Sequence, residues 1–233
     1  MFSIQDEIAR EVVKALKVRL LGEEETRLAK RYTENVEAYN VYLQGRNFWN
    51  TRVSTNLYKS VGYFEKALEN DPNYALAYAG LADSYSILGN NMFLPPDESY
   101  PKAKEFARKA LEIDPELAEA YSALALIKRD YEWDFEGAEA EYQKAIEINP
   151  GDANAHHQYA SLLSILGRHE DAIREVKLSR DLDPLASRIR ANVGFVLYFA
   201  RKYEEALEEL DGSIAFDPSQ CANYYYLGAV LSS

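Results

Sequence analysis

The sequence predicts an all-α fold in which helix pairs stack along one direction, and three observations predict it. A proline-terminated phrase recurs five times at a nearly constant interval, small residues stand at fixed distances before each proline, and apolar residues at helical spacing fill the stretches between. Pro72, Pro115, Pro150, Pro184 and Pro218 close the phrases "ALENDP", "ALEIDP", "AIEINP", "SRDLDP" and "SIAFDP", with spacings of 43, 35, 34 and 34 residues.

Residues 3–21, "SIQDEIAREVVKALKVRLL", open the chain as an amphipathic helix with Ile4, Ile8, Val12, Leu16 and Leu20 on or near one stripe, Ser3 with Asp6 as N-cap and Gly22 as terminator. A short second helix, "EEETRLAKRY", follows, so that residues 1–37 cap the array and form the end of a preceding domain. Repeats then run over 38–74, 75–117, 118–152, 153–186 and 187–220, with half a repeat at 221–233. Within each repeat, small residues lie five positions before the proline (Ala67, Ala110, Ala145, Ser179, Ser213) and twelve before it (Ser60, Ala103, Ala138, Ala172, Ala206), where two helices must approach closely. Phe64 and Tyr142, eight before their prolines, fill a large-residue position that holds Ala107, Val176 and Leu210 in the other copies. The first helices carry a small residue at their eighth place, in Ala82, Ala125, Ala160, Gly194 and Gly228. Nothing comparable to the N-terminal cap follows Leu231, so the chain is expected to be a fragment, or to pack its last helix on another copy.

This pattern resembles the tetratricopeptide repeat, an antiparallel helix pair of about 34 residues ending in a proline-marked turn. The resemblance implies a right-handed superhelical solenoid of antiparallel helix pairs. A second resemblance joins "FSIQDEIAREVVKALKVRL" to "ENVEAYNVYLQGRNFWNTR". It is similar to the junction in bacterial multidomain signalling proteins where a TolB-like segment precedes tetratricopeptide repeats, behind an adenylate cyclase, winged-helix or kinase domain. None of those domains is present, and no activity is carried over from them.

A formal net charge of −12 would repel a polyphosphate or an anionic membrane surface, so no nucleic acid is expected as partner. The most apolar window, Ala191 to Ala200, is about half of a membrane-spanning length and flanked by Arg190 and Arg201, so no membrane insertion is expected. A single cysteine, Cys221, fits a reducing compartment. A cytoplasmic location is expected, with an extracytoplasmic one open if the full-length protein has a transmembrane segment.

In tetratricopeptide arrays the first helices line a concave groove, and the resemblance places the second, fifth, ninth and twelfth positions of each first helix there. This row is Tyr39, Tyr42, Arg46 and Trp49, then Leu76, Ala79, Asp83 and Ser86, then Glu119, Ser122, Leu126 and Arg129, then Asn154, His157, Ser161 and Ser164, then Arg188, Ala191, Phe195 and Tyr198, and finally Ala222, Tyr225 and Ala229. Tyr and Trp suit recognition because they bury a large area with few frozen rotations, and Arg46 and Arg129 are candidates to hold a carboxylate. Phe48, Phe195 and Tyr198 are read first as fillers of the interhelical core, whereas Tyr78, Tyr121, Tyr224 and His156 take the fourth place, a packing position. The Lys/Asn carboxylate clamp of chaperone-tail-binding arrays is missing: the fifth and ninth places hold Tyr42/Arg46, Ala79/Asp83, Ser122/Leu126, His157/Ser161 and Ala191/Phe195.

No catalytic residues, cofactor or metal site are expected. His156 and His157 diverge by about 100° on a helix and cannot easily share a metal ion, and Cys221 has no His partner in sequence. The acidic runs are solvated helix faces. The function expected is therefore a non-enzymatic scaffold for a protein or peptide partner, regulatory within a larger signalling protein. The alternative is a homo-oligomer formed through the C-terminal helix.

One repeat departs from the rule. The second spans 43 residues, and "GNNMFLPPDESYP" places nine extra residues between its helices. Asn90 to Pro95 is expected as an enlarged loop, with the second helix starting about a turn early at Pro96 and tolerating Pro101 near its N-terminal end. Met92, Phe93 and Leu94 are read either as a clasp over neighbouring helices or as a knob for a partner.

Overall fold

The computed structural model describes residues 32–232. Eleven α-helices and one π-helical turn follow in order: α1 (Val36–Asn50), α2 (Ser54–Asn70), α3 (Ala75–Asn90), α4 (Pro96–Ile113), α5 (Ala118–Ile127), the turn Lys128–Glu132, α6 (Phe135–Ile148), α7 (Ala153–Ile165), α8 (His169–Leu182), α9 (Ser187–Phe199), α10 (Tyr203–Phe216) and α11 (Cys221–Leu231). No strand occurs among the described residues. The helices expected at 3–21 and 23–32 lie outside them, apart from Tyr32.

Each odd-numbered helix packs on the even-numbered helix that follows, and each even-numbered helix on the next odd one. Every odd-numbered helix also touches the next odd-numbered helix, while no two even-numbered helices pack to a comparable extent. The closer spacing of the odd row makes it the inner row of a curved solenoid. The small residues seen in sequence explain how near the helices come. Ala67, Ala110, Ala145, Ser60, Ala103, Ala138, Ala172 and Ala206 are fully buried, with Ser179 and Ser213 beside them. Phe64 shows what the small positions accommodate. Its ring is fully buried between α1 and α3, and a Cβ built on Gly45 or Gly80 would stand 2.6 or 2.7 Å from it. Burying such a side chain stabilises a fold by roughly 1.5–3 kcal/mol.

The recurring Asp/Asn-Pro phrase has a structural reason. Asp71, Asp114, Asn149 and Asp217 each accept the backbone N–H two residues on, at 3.0, 3.2, 3.2 and 3.0 Å, which closes the turn between repeats. The proline carbonyl is then claimed by the fourth residue of the next odd helix. Tyr121 donates to Pro115 (3.0 Å), His156 to Pro150 (3.0 Å), Arg190 to Pro184 (2.8 Å) and Tyr224 to Pro218 (3.0 Å). The fourth place thus holds a hydrogen-bonding latch, which its reading as a packing position did not anticipate.

The long second repeat is lengthened mostly as helix. Relative to the α7–α8 pair, α3 has 16 residues against 13 and α4 has 18 against 14, while the connection has only two more. The expectation of nine residues inserted between the helices is corrected accordingly. Pro96 sits at the first turn of α4, where its missing N–H is harmless, with Asp97 and Glu98 on the favourable side of the helix dipole. The third repeat, one residue over length, absorbs its extra residue in the π-helical turn Lys128–Glu132.

Candidate functional site

The odd-numbered helices converge with the turns preceding α7 and α9 on a cavity of about 370 Å³. From α1 come Arg46, Trp49 and Asn50, and from α3 Asp83; α5 adds Glu119 and Ser122. Asn149, Gly151 and Asp152 contribute from the turn and Ala153 and Asn154 from the start of α7, while Asp183, Arg188 and Ile189 close the far side. Asp152 occupies its place because it caps α7, its Oδ1 accepting the amides of Asn154 (2.9 Å) and Ala155 (3.2 Å).

Charges of both signs meet here. Arg46 pairs with Asp83 at 3.2 Å, and its guanidinium lies 4.2 Å from the centre of the Trp49 ring, against which Arg52 also stacks at 3.6 Å. The three guanidinium nitrogens of Arg52 have no hydrogen-bond partner, and burial holds its pKa well below the usual arginine range. Arg188 donates to Nδ1 of His157 (2.6 Å) and Oδ1 of Asn154 (3.2 Å). Burial lowers the Arg188 pKa to about 10, and burial with the Arg188 charge holds His157 far below 6.5, so its Nδ1 is a free acceptor and the proton resides on Nε2. Burial raises Asp83 to about 6, against the pull of Arg46. Burial, reinforced by repulsion from Asp152, raises Glu119 to about 7.

Of the groove residues named from sequence, Arg46, Trp49, Asp83, Glu119, Ser122, Asn154 and Arg188 line this cavity. Others stand elsewhere. Tyr42 is buried against Phe64 and Tyr74, with ring centroids 5.6 and 5.2 Å away, and is a core residue. Arg129 is not available to a ligand carboxylate, contrary to expectation. Its Nε and Nη2 bind the Asp130 carboxylate at 2.5 and 3.0 Å and its Nη1 reaches Gln158, because the π-helical turn swings it into the packing between repeats. Ser161 donates to the His157 carbonyl (3.2 Å) and accepts from Asn192 (3.4 Å). Phe195 packs on Phe199 and Tyr226, and Tyr198 on Phe199 and Tyr203, in an aromatic cluster joining α9 to α11. Tyr225 projects outward, 75% exposed.

The segment Met92, Phe93, Leu94 follows the C-terminal end of α3 and contributes nothing to the cavity lining. Met92 is 74% exposed in a left-handed backbone conformation (φ 57°), Phe93 is partly exposed, and Leu94 packs on the core formed by α1 to α4. Asn149, Asp152 and Asp183 were missed as lining residues; the signal available was the Asn or Asp just before Pro150 and Pro184 and the N-cap position of Asp152.

Residues 63–92 and 141–174 match the family model described as tetratricopeptide repeat. In these two segments the chain carries tetratricopeptide repeats. Both matches to the tetratricopeptide model begin inside an even-numbered helix and cross the Asp/Asn-Pro turn into the next odd one. Over 86 residues the chain is 31% identical to small glutamine-rich tetratricopeptide repeat-containing protein 2 of Mycosarcoma maydis, covering 37% of this chain and 24% of the relative. The chain therefore spans about a quarter of the length of that relative. A thermophilic tetratricopeptide protein of Thermus thermophilus superposes with a TM-score of 0.66 at 19% identity, covering 84% of this chain and all of that one, which shows the shared fold. YrrB, titled a tetratricopeptide protein with an unusual peptide-binding site, superposes with a TM-score of 0.50 at 26% identity, over 84% of this chain and 97% of that one.

Among the described residues no helix is long and apolar enough to cross a membrane, and no group of three His, Cys, Asp or Glu side chains is placed to hold a metal ion.

Proposed function

We propose that this chain is a non-enzymatic interaction scaffold that holds an extended peptide or a segment of a partner protein in its concave cavity. The observation that carries the reading is the cavity itself, walled by four odd-numbered helices in succession with α9 closing it, and lined by side chains that donate, accept and carry charge of both signs. The likeness to YrrB, a structure titled for its peptide-binding site, supports it. A photocrosslinking residue at Ser122 should trap a partner as an adduct of discrete mass, whereas one at Lys109, on the outer face of α4, should not. Equal trapping at both positions would overturn the reading.

The scaffold acts as a regulatory part of a larger signalling protein in the cytoplasm; support for this comes from the resemblance of residues 2–52 to the TolB-like junction of bacterial signalling proteins. A second reading, self-association, is favoured by α11, whose Tyr224, Tyr225 and Leu231 are exposed and whose Gly228 faces open space. Sedimentation velocity across a concentration series separates the two, since a strict monomer rules out self-association.

A further inference from the structure

We propose that the cavity reads a basic side chain of the bound segment, a lysine ammonium or an arginine guanidinium lodged between the carboxylates of Glu119 and Asp152. The inference rests on the peptide-binding reading above and assigns the chemistry of one subsite within it.

Charge pairing is the first ground. Four acidic side chains (Asp83, Glu119, Asp152, Asp183) and two basic ones (Arg46, Arg188) line the cavity. Arg46 is engaged by Asp83 at 3.2 Å, and Arg188 donates to His157 and Asn154. Among the described residues Glu119 has no ion pair, and Asp152 gives only Oδ1 to its two cap amides, which leaves Oδ2 to accept another donor. Both carboxylates line the same cavity, and the one cation whose charge acts on Glu119, Arg46, is already bonded to Asp83. With both side chains only partly exposed to water, such a pair is relieved by one positive charge.

The second ground is independent of charge. Ser122 stands one turn beyond Glu119 on α5, is 5% exposed, lines the cavity, and its Oγ has no hydrogen-bond partner. A buried hydroxyl without a partner is uncommon and marks a place where an incoming polar group completes the bonding. A lysine ammonium carries three donors and an arginine guanidinium five, which matches three acceptors, the two carboxylates and the hydroxyl. An acidic side chain would meet the opposite: its carboxylate would enter a net acidic lining in which Arg46 and Arg188 already donate to other groups, while the unpartnered Arg52 is stacked on Trp49 outside that lining.

The protonation behaviour agrees. Glu119 is faced by Arg46 on α1, Asp83 on α3 and Asp152 ahead of α7, with Asp183 and Arg188 across the cavity, and burial together with Asp152 raises it to about 7. A cationic ligand binds the ionised carboxylate and so binds more tightly as pH rises through that range, whereas an anionic ligand would bind more tightly as pH falls.

Blocked heptapeptides Gly-Ser-Gly-X-Gly-Ser-Gly, with X as Lys, Glu or norleucine, are titrated into the chain and followed by the amide NMR signals of Ser122, Gly151 and Ala153. The Lys peptide should shift these signals saturably, bind more tightly than the other two, and gain affinity between mildly acidic and mildly basic pH. Glu119→Gln and Asp152→Asn should each weaken it about tenfold, the loss of one charge-assisted hydrogen bond. Asn remains a competent N-cap, so the Asp152 variant keeps α7, with circular dichroism as the check. Preference for the Glu or norleucine peptide, or an unchanged Kd in Glu119→Gln, overturns the subsite while the peptide-binding reading stands. If no peptide shifts the cavity signals although Ser122 still photocrosslinks a partner, the subsite alone falls; if neither occurs, both readings fall.

Discussion

His156 and His157 are neighbours in the chain, and their surroundings push their pKa values in opposite directions. Nε2 of His156 lies 3.0 Å from the Pro150 carbonyl and Nδ1 lies 2.6 Å from the Glu175 carboxylate, so both nitrogens face acceptors. Burial works against its charge, but the bonds to Glu175 and Pro150 outweigh it and raise its pKa above 6.5. Nδ1 of His157 instead receives a proton from Arg188, and burial beside that cation keeps the ring neutral.

These two rings give stability of opposite pH sense. His156, raised, stabilises the fold fully below about pH 6.5 and loses that contribution as pH rises through its folded value; His157, depressed, contributes fully above about pH 6.5 and loses it as pH falls. Imidazole NMR should show His156 titrating above the ordinary histidine range and His157 well below it. Replacing His156→Gln should lower stability by about 1–3 kcal/mol, most at acidic pH, because a charge-assisted bond is lost.

The cavity carboxylates predict a second pH effect. Asp83 and Glu119 hold their protons more tightly in the folded state than in the unfolded one, with folded values of about 6 and about 7. The fold is therefore helped by their protonation at mildly acidic pH, and that help is lost as pH rises through these values. Glu119→Gln should raise Tm near pH 8 and leave it nearly unchanged near pH 4.5, the same substitution that weakens capture of a basic side chain.

Two glycine substitutions should move stability in opposite directions. At Gly80 a methyl would stand 2.7 Å from the buried Phe64 ring, so Gly80→Ala should destabilise by about 1–3 kcal/mol. Gly212, exposed on α10, has nothing within 4 Å of the same position, and Gly212→Ala should stabilise by about 0.5–1 kcal/mol through helix propensity. Urea denaturation of the two variants is the measurement.

The connection of the second repeat divides likewise. Leu94 packs on the N-terminal core, whereas Phe93 contributes its carbonyl to Tyr58 and leaves its ring 42% exposed. Leu94→Ser should therefore cost about 2 kcal/mol and Phe93→Ser less than about 0.5 kcal/mol, read from denaturation midpoints.

The stacked-helix architecture was legible because the small positions and prolines report backbone approach and turn geometry, which depend on residue size and on one missing N–H. Phe64 between Gly45 and Gly80 is that rule in three residues. The latch was hidden because Tyr121, His156, Arg190 and Tyr224 share only a hydrogen-bond donor, while their classes suggest aromatic packing or charge. Register alone could not place Arg129 either. One extra residue turns the end of α5 into a π-helical turn and delivers the guanidinium to Asp130. Asp152 and Asp183 escaped notice because a residue that closes a turn in one dimension can also wall a cavity in three. Trp49, by contrast, was placed on the groove by register and does line it, although 3% exposed and sandwiched by arginines.

The latches also say where this chain can be divided. In each, the acceptor is the proline that ends one repeat and the donor is the fourth residue of the following one, so the bond spans the boundary drawn by sequence. A duplication, deletion or graft with breakpoints at the prolines separates every donor from its acceptor. One with breakpoints in the connection between an odd helix and its even partner carries each latch intact, and makes the even helix, proline turn and next odd helix the natural unit of exchange.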